Sequence, residues 1–366
     1  MHLRILDKYI FREVFLTFLF GIAAFTAVFV GSGTLFSIAR YITEYGASLQ
    51  SVVKIFVLGL PGVIMWTFPM SMVLASLLTF GKLSSSSEIT AMKSCGISFT
   101  RIAAPAVIMG FVVSIGAIAF NEYVVPWANT AYHNVLYYEI QGKSGMKSQE
   151  HIILKELDHD KIKRLVYARA YDADTQTLQS ITLQEFNADS KVSHVENAEY
   201  AEWNGDEWIM HNGMIYDIAQ EDGQSEHTMR FNKQVLPIQA NPKQIVREQK
   251  ELEEMTMKEL REQIEIMKTQ YVDTKTLEAE LYQRVTVPLA SLIFALVGVP
   301  LGLQPTRNSS SAGFAMSIII IFCYYALMTL GNALARGGIL PPLLAVWIPN
   351  IVGMVVGFIL IRRASR

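Results

Sequence analysis

The sequence predicts a polytopic α-helical membrane protein with six transmembrane helices and an inserted antiparallel β domain. The chain has 366 residues, of which 51% are apolar and only 17% are charged, a composition typical of a membrane protein that carries a soluble insert. Six long uncharged segments occur as two groups of three. The polar stretch between these groups contains short runs rich in β-branched and aromatic residues, which indicate strands.

The six uncharged segments are each long enough to cross a hydrocarbon core of about 30 Å as a helix. The first is too long for the apolar part of a signal peptide, and no small-residue cleavage site follows it, so we interpret it as a span. The predicted spans are residues 14–39, 55–81, 102–121, 285–306, 308–335 and 337–361.

The distribution of Lys and Arg predicts that both termini are cytoplasmic. In this orientation the inner ends and loops hold Arg4, Lys8, Arg12, Lys82, Lys93, Arg101, Arg307, Arg362, Arg363 and Arg366, and the short outer segments hold only Arg40, Lys54 and Arg336. This excess follows the positive-inside rule. The loop at 82–98 is then cytoplasmic, and the region from about 127 to 282 lies on the outer side, which is the periplasm in a bacterium.

Changes in composition divide the chain into four predicted parts. Residues 1–127 hold the first three spans, 128–250 form the β domain, 251–282 form an amphipathic connector helix, and 283–366 hold the last three spans. Turn signals such as the one at 204–206 separate the strand-like runs of the β domain, which favours an antiparallel β-sandwich or jellyroll. The histidines of this domain are scattered, as surface residues usually are.

Several classes of function are disfavoured by the sequence. A net charge of −2 gives no indication of a nucleic-acid partner. Cys95 and Cys323 are far apart, so they suggest neither a disulfide framework nor a metal site. The chain has no Gly-x-x-x-x-Gly-Lys-Ser/Thr phosphate loop. If ATP drives this protein, another chain must hydrolyse it.

The connector region has the pattern of an amphipathic helix with an N-terminal capping box formed by Thr256 and Glu259. Its apolar stripe consists of Met257, Leu260, Ile264, Met267 and Tyr271. Such a helix could lie on the membrane surface, pack on the β domain, or be an ordinary packed connector.

The cytoplasmic loop "KLSSSSEITAMKSCGIS" predicts a short helix from about Ser85 to Gly96. Ser85 and Glu88 have the spacing of a capping box, and Gly96 suits the C-terminal end. The side chains expected along one side are Ile89, Met92, Lys93 and Gly96. The helix resembles the coupling helix with which ABC transporter permeases contact a separate ATPase subunit. This resemblance implies six residues that would couple the chain to the ATPase: Ser85, Glu88, Ile89, Met92, Lys93 and Gly96. The alternative is a plain interfacial loop helix.

The wider sequence resembles the LptF/LptG lipopolysaccharide export permeases. The matching stretches, in order, are "LDKYIFREVF", "FPMSMVLASLLTFGKLSSSSEITAMKSCGIS", "NEYVVPWAN", "MTMKELREQIEIMK", "AELYQRVTVPLASLIFALVGVPLGL" and "GGILPPLLAVWIPNIVG". They cover the membrane portion almost from end to end. The β insert is similar in position and length rather than in sequence.

This resemblance implies a permease half of an ABC transporter that moves lipopolysaccharide from the outer leaflet of the inner membrane to a periplasmic bridge. The implied partners are an LptB-type ATPase dimer, a second LptF/LptG-type permease (a paralogue or a second copy) and LptC/LptA-type periplasmic jellyroll proteins. Glu88 matches the coupling-helix glutamate of the family and would contact the ATPase. The chain itself would bind no cofactor, since ATP would bind to the partner.

Four cations at the outer ends of the spans are candidates for binding the phosphorylated head group. They are Arg40, Lys54, Arg284 and Arg336. Arg can bind phosphate through two parallel hydrogen bonds, and Arg40 and Arg284 lie on helices that continue directly into the core. The alternative is that these side chains extend to the interface or pair with Glu44, Glu122 or Glu280.

Two other functions remain open at the level of sequence. The first is an ABC permease that extracts a different lipid or a lipoprotein. In such permeases the large periplasmic domain often follows the first span, whereas here it follows the third. The second is a membrane-anchored periplasmic scaffold that transports nothing, for which six spans and a coupling-type loop would be unnecessary.

Overall fold

The computed structural model describes residues 5–140, 149–158, 161–172, 175–187, 192–218, 225–238, 251–269, 273–303 and 310–365. The chain divides into two compact units. The membrane unit consists of Met1–Ile140 and Leu252–Arg366, and the β unit consists of Gln141–Glu251. The predicted boundary between the fourth and fifth spans lies outside the described residues, as do Arg4, His159, Tyr271, Arg307 and Arg366.

Six helical segments of the membrane unit are long and apolar enough to cross a membrane, which confirms the predicted number. Its helices are α1 (Ile5–Phe29), α2 (Leu35–Tyr45), α3 (Leu49–Ser85), α4 (Glu88–Ser94), α5 (Phe99–Asn134), α6 (Met257–Thr269), α7 (Lys275–Leu301), α8 (Ser310–Arg336) and α9 (Pro342–Ala364). A π-helical turn at Val30–Thr34 joins α1 to α2, so these two helices form one segment.

The first three membrane segments are much longer than a bilayer requires. They contain 41, 37 and 39 residues, whereas the last three contain 27, 24 and 23. At about 1.5 Å per residue, a 37-residue helix is about 56 Å long, against a hydrocarbon core of about 30 Å. The helix α5 continues past residue 127, where the sequence predicted that the β domain begins, and this continuation moves the start of the β unit to Gln141.

The helix α7 is the most buried of the six spans, because glycines let neighbouring helices approach it closely. A Cβ atom at Gly298 would lie 2.8 Å from the Ser76 side chain of α3, and one at Gly302 would lie 2.8 Å from Phe80. On α9, a Cβ atom at Gly357 would lie 3.0 Å from the Leu296 side chain of α7. These small residues therefore pack within one bundle.

The region predicted as a connector helix, 251–282, contains the shorter helix α6, and the predicted capping box is formed at its start. The backbone N–H of Thr256 donates to Glu259 Oε2 at 2.8 Å, and the N–H of Glu259 donates to Thr256 Oγ1 at 3.2 Å. Leu260 and Ile264 are buried against Leu281 of α7. The apolar stripe of α6 thus packs on the chain's own fourth span.

The β unit contains one six-stranded antiparallel sheet, which confirms the predicted antiparallel fold of the insert. Its strands are β1 (Gln149–Asp158), β2 (Lys161–Asp172), β3 (Thr177–Phe186), β4 (Val192–Trp203), β5 (Trp208–Ile218) and β6 (Ser225–Leu236). Each strand pairs with the next one in the sequence, so the described strands form a meander, unlike the Greek keys of a double-sheet jellyroll. At the predicted turn after β4, Asn204 Oδ1 accepts the N–H groups of Asp206 and Glu207.

A row of interrupted pairing crosses all six strands, and we call this row the crease. In every pair of neighbouring strands one opposing pair of residues is skipped at this row, while the register on either side of it is the same. The skipped residues are His151, Arg169, Ser180, Glu199, Asn212 and Asn232. On alternate strands, His151, Ser180 and Asn212 have φ values of 57°, 49° and 54°, a left-handed conformation that is costly outside glycine.

At the crease the alternation between core-facing and outward-facing side chains shifts by one residue. As a result, the same face of the sheet is apolar before and after the crease. Core residues on a strand are normally two positions apart. Across the crease they are three apart, as in Leu178 and Ile181 of β3 and in Ala198 and Ala201 of β4. Residues from all six strands form one core on this face, with Trp208 fully buried.

The sheet is bent at the crease, because two distant residues of the core face meet across it. Gln234 Nε2 donates to both carboxylate oxygens of Glu196, at 3.1 and 3.0 Å. Gln234 is paired with Met210, and Glu196 is paired with Ile215, five residues further along β5. On a flat sheet that offset is about 17 Å, which the two side chains cannot bridge.

We expect Gly213→Ala to destabilise the β unit. Gly213 is the first core-face position after the crease on β5, and an added Cβ atom would overlap the Phe231 ring and the backbone oxygen of Asn197. Overpacking of this kind costs about 1–3 kcal/mol. Hydrogen exchange of the full-length protein should be faster in β4 and β5. The control is Gly116→Ala, where nothing lies within 4 Å of the added atom; equal exchange in both variants would contradict the packing role of Gly213.

Candidate coupling loop and outer cations

The loop helix α4 is shorter than the sequence predicted, and its capping box is not formed. The predicted helix from Ser85 to Gly96 is instead a seven-residue helix, Glu88–Ser94. Ser85 is the last residue of α3, and its hydroxyl donates to the Lys82 carbonyl oxygen at 2.9 Å, so it is not available to cap α4. The C-terminal prediction is confirmed: Gly96 follows the helix with a φ of +79°.

One side of α4 forms part of the core of the membrane unit. Ile89 is only 4% exposed, and Met92 packs against the same apolar cluster, which also contains Leu83 and Phe99. Both were predicted to contact an ATPase, but in this structure their side chains contact their own chain. The exposed surface of α4 is formed by other residues, namely Thr90, Ala91, Lys93 and Ser94.

The Lys93 side chain joins α4 to the end of the last helix. Its Nζ donates to the Ala364 carbonyl oxygen at 3.2 Å and lies 5.2 Å from the centroid of the Phe99 ring. A cation near the C-terminus of a helix also interacts favourably with the helix dipole. Lys93 therefore fixes α4 against both α5 and α9.

The Glu88 carboxylate is half-buried and is held by two hydroxyl groups of the chain. Tyr9 of α1 donates its phenolic O–H to Oε2 at 3.0 Å, and Ser86 donates to Oε1 at 2.8 Å. The sequence predicted that Glu88 is functional, but it gave no indication of Tyr9. The two residues are 79 positions apart, and only the packing of α1 beside the loop brings them together.

Two ion pairs attach the first turns of α1 to both ends of the loop. Glu13 Oε2 lies 2.8 Å from Lys82 Nζ at the end of α3. Asp7 Oδ2 lies 2.5 Å from Arg101 Nη2 at the start of α5, and the Asp7 side chain is only 8% exposed. Exposed ion pairs contribute little to stability. These two contacts nevertheless hold the start of α1 close to both ends of the loop that contains α4.

Among the four outer cations, Arg284 is already bound by its own chain. It is 6% exposed, and its guanidinium donates to the carbonyl oxygens of Met255 and Leu252, just before α6. Next to it, Glu122 Oε2 accepts the N–H of Met257 at 2.9 Å. Arg284 thus secures the segment that leads into α6, and both of its terminal nitrogens donate to this segment.

Lys54 is exposed but has a partner. Its Nζ donates to Glu139 Oε1 at 2.7 Å, while the Ser51 hydroxyl donates to Oε2 at 2.7 Å. The hydrogen bonds from Lys54 and Ser51 hold the pKa of the Glu139 carboxyl below its usual value. A phosphate would have to compete with this carboxylate for Lys54.

The other two cations, Arg40 and Arg336, are exposed, and within the described residues neither forms an ion pair. The Arg40 guanidinium carbon lies 5.8 Å from the centroid of the Tyr41 ring, a stacking contact that leaves its N–H donors unused. Arg336 is the last residue of α8. The structure therefore leaves Arg40 and Arg336 as the cations that are accessible to an anionic ligand.

Comparison with models of protein families identifies the family of the chain. The family model described as "Lipopolysaccharide export system permease LptF/LptG" matches residues 8–363, which include the six spans, α4 and the β unit. No curated protein matches the chain significantly. Since the family model covers almost the whole sequence, the chain belongs to the LptF/LptG family of lipopolysaccharide export permeases.

Proposed function

We propose that this chain is one permease half of an ABC transporter, located in the bacterial inner membrane with both termini cytoplasmic and the β unit in the periplasm. It extracts lipopolysaccharide from the outer leaflet and passes it to a periplasmic bridge of LptC/LptA-type jellyroll proteins. The observation that carries the proposal is the family match over residues 8–363, which leaves neither α4 nor the β unit unmatched.

The energy comes from ATP bound to a separate LptB-type ATPase dimer, while this chain binds no cofactor. A second permease, a paralogue or a second copy, completes the transporter.

The geometry of α4 supports the division of roles between the ATPase and this chain. The helix has an exposed face, its buried face contacts the core, and polar contacts attach it to α1 and α9. A push on the exposed face is therefore transmitted to several spans at once.

The β unit supplies the surface through which the lipid leaves. Its apolar core is continuous across six strands, an interior that would accept acyl chains better than sugars. Among the described strands, β1 pairs only with β2, and β6 pairs only with β5. Each of these outer strands has backbone groups that can pair with a strand of a neighbouring jellyroll by β-augmentation.

We expect Glu88→Lys to reduce the amount of ATPase that co-purifies with the tagged protein in mild detergent by at least about tenfold. The substitution replaces a carboxylate that would accept hydrogen bonds from the ATPase with a cation that repels such donors. The matched control is Glu44→Lys, an exposed glutamate at the other end of the first membrane segment. Equal ATPase recovery from all three proteins would contradict the proposed role of α4.

We expect Arg40→Glu and Arg336→Glu each to reduce photo-crosslinking of lipopolysaccharide by at least about tenfold, since hydrogen bonds to a charged group contribute about 1.5–3 kcal/mol when they are well formed. Lys54→Glu should have a smaller effect, because Lys54 is already paired with Glu139. Arg12→Glu, an exposed charge reversal at the inner end of α1, is the control. Undiminished crosslinking in both Arg40→Glu and Arg336→Glu would exclude these residues from the head-group site.

A further inference from the structure

The hydrogen bonds of Glu88 leave room for a ligand from outside the chain. A carboxylate has about four lone-pair positions. Tyr9 occupies one on Oε2, and Ser86 occupies one on Oε1. The carboxylate is thus fixed in orientation at both oxygens, while each oxygen can still accept a further hydrogen bond. A cationic side chain of another protein, above all an arginine with parallel donors, fits this arrangement.

The backbone of α1 at Tyr9 is anchored by the neighbouring residues. The next residue, Ile10, and Val14 one turn further on are fully buried in the apolar cluster that also contains Ile89. The ion pairs of Asp7 and Glu13 lie on either side of Tyr9 in the sequence. The backbone of Tyr9 therefore has a defined place in the bundle, and from there its exposed ring reaches Glu88 through the phenolic hydroxyl.

We propose that Tyr9 is a positioning residue, which holds the Glu88 carboxylate in the orientation that a cationic side chain of the ATPase contacts. The inference rests on the proposed function, since it requires that the ATPase binds at α4. It assigns a role to the start of the first span, outside the loop. A displacement of Glu88 by the ATPase would then pull on α1 through one hydrogen bond.

The test is a double-mutant cycle of Tyr9→Phe and Glu88→Gln, with ATPase binding to the purified full-length permease as the measured quantity. Tyr9→Phe removes only the hydroxyl and keeps the ring. We expect it to weaken binding about two- to fivefold, the range expected for an exposed polar contact. In the Glu88→Gln background the same change should have little further effect, because residues that act through one another are not additive.

The control is Tyr123→Phe, which removes the hydroxyl of a tyrosine that is 76% exposed and should leave binding unchanged. The thermal unfolding temperature of Tyr9→Phe should equal that of the wild type. If Tyr9→Phe weakens binding by the same factor in the wild-type and Glu88→Gln backgrounds, Tyr9 does not act through Glu88 and the inference is wrong.

The inference and the proposed function can fail separately. If Glu88→Lys still binds the ATPase as well as the wild type, α4 is not the docking site and the proposed function fails at this point. If Glu88→Lys loses the ATPase but Tyr9→Phe binds it as the wild type does, the docking site stands and the positioning role of Tyr9 is overturned.

Discussion

The architecture of the membrane unit depends on the close approach of other helices to α7. In lipid, apolar surface alone does not drive helices together, so contact area and complementary shape must do so. Gly298 and Gly302 allow α3 to pack closely on α7, and Gly357 allows α9 to do the same. Two buried hydrogen bonds also join three of the helices. Tyr324 of α8 donates to Asn350 of α9, and Asn350 donates to the Thr286 carbonyl oxygen of α7. Around this helix the other spans form one packed body.

The loop helix is part of that body. The apolar cluster around Ile89 includes residues of α1, α3, α5 and α7, among them Ile10 and Val299. A seven-residue helix would not be stable by itself in water, so its conformation must come from this burial and from Lys93 and Glu88. Because α4 is already packed on the core, it would transmit force without first having to fold if a partner contacted it. The same packing buries Ile89 and partly buries Met92.

The number of spans could be predicted from the sequence, because the thickness of a bilayer sets a minimum length for a span. Each uncharged run reaches that length. The sequence predicted the ends of the spans poorly, since α1, α3 and α5 continue beyond the apolar runs as ordinary helices. Identical capping patterns had different outcomes. Thr256 follows an irregular segment and caps α6, whereas Ser85 lies at the end of α3 and is bonded to the preceding turn.

The pairings of the candidate cations could not be deduced from sequence, because they depend on contacts between distant segments. Arg284 resembled a phosphate-binding residue by its place at the head of a span. Its donors are used by two carbonyl groups about 30 residues earlier in the chain, at Leu252 and Met255. The contact of Tyr9 with Glu88 could not be deduced either, because the two residues are 79 positions apart in the sequence. The crease had weak signals in Asn212 and His151, residue types that are enriched in the left-handed conformation, but Ser180 gave none.

The crease restricts what can be added to the sheet. A regular edge accepts a new strand in many registers, and each shift by two residues costs little. Here β1 carries a left-handed residue at His151, and the skipped position on β6 is Asn232. A strand that joins either edge would have to omit one pair of hydrogen bonds at that row and shift its own alternation by one residue. An added strand would therefore continue the apolar face of the sheet only if it carried a matching irregularity at this row.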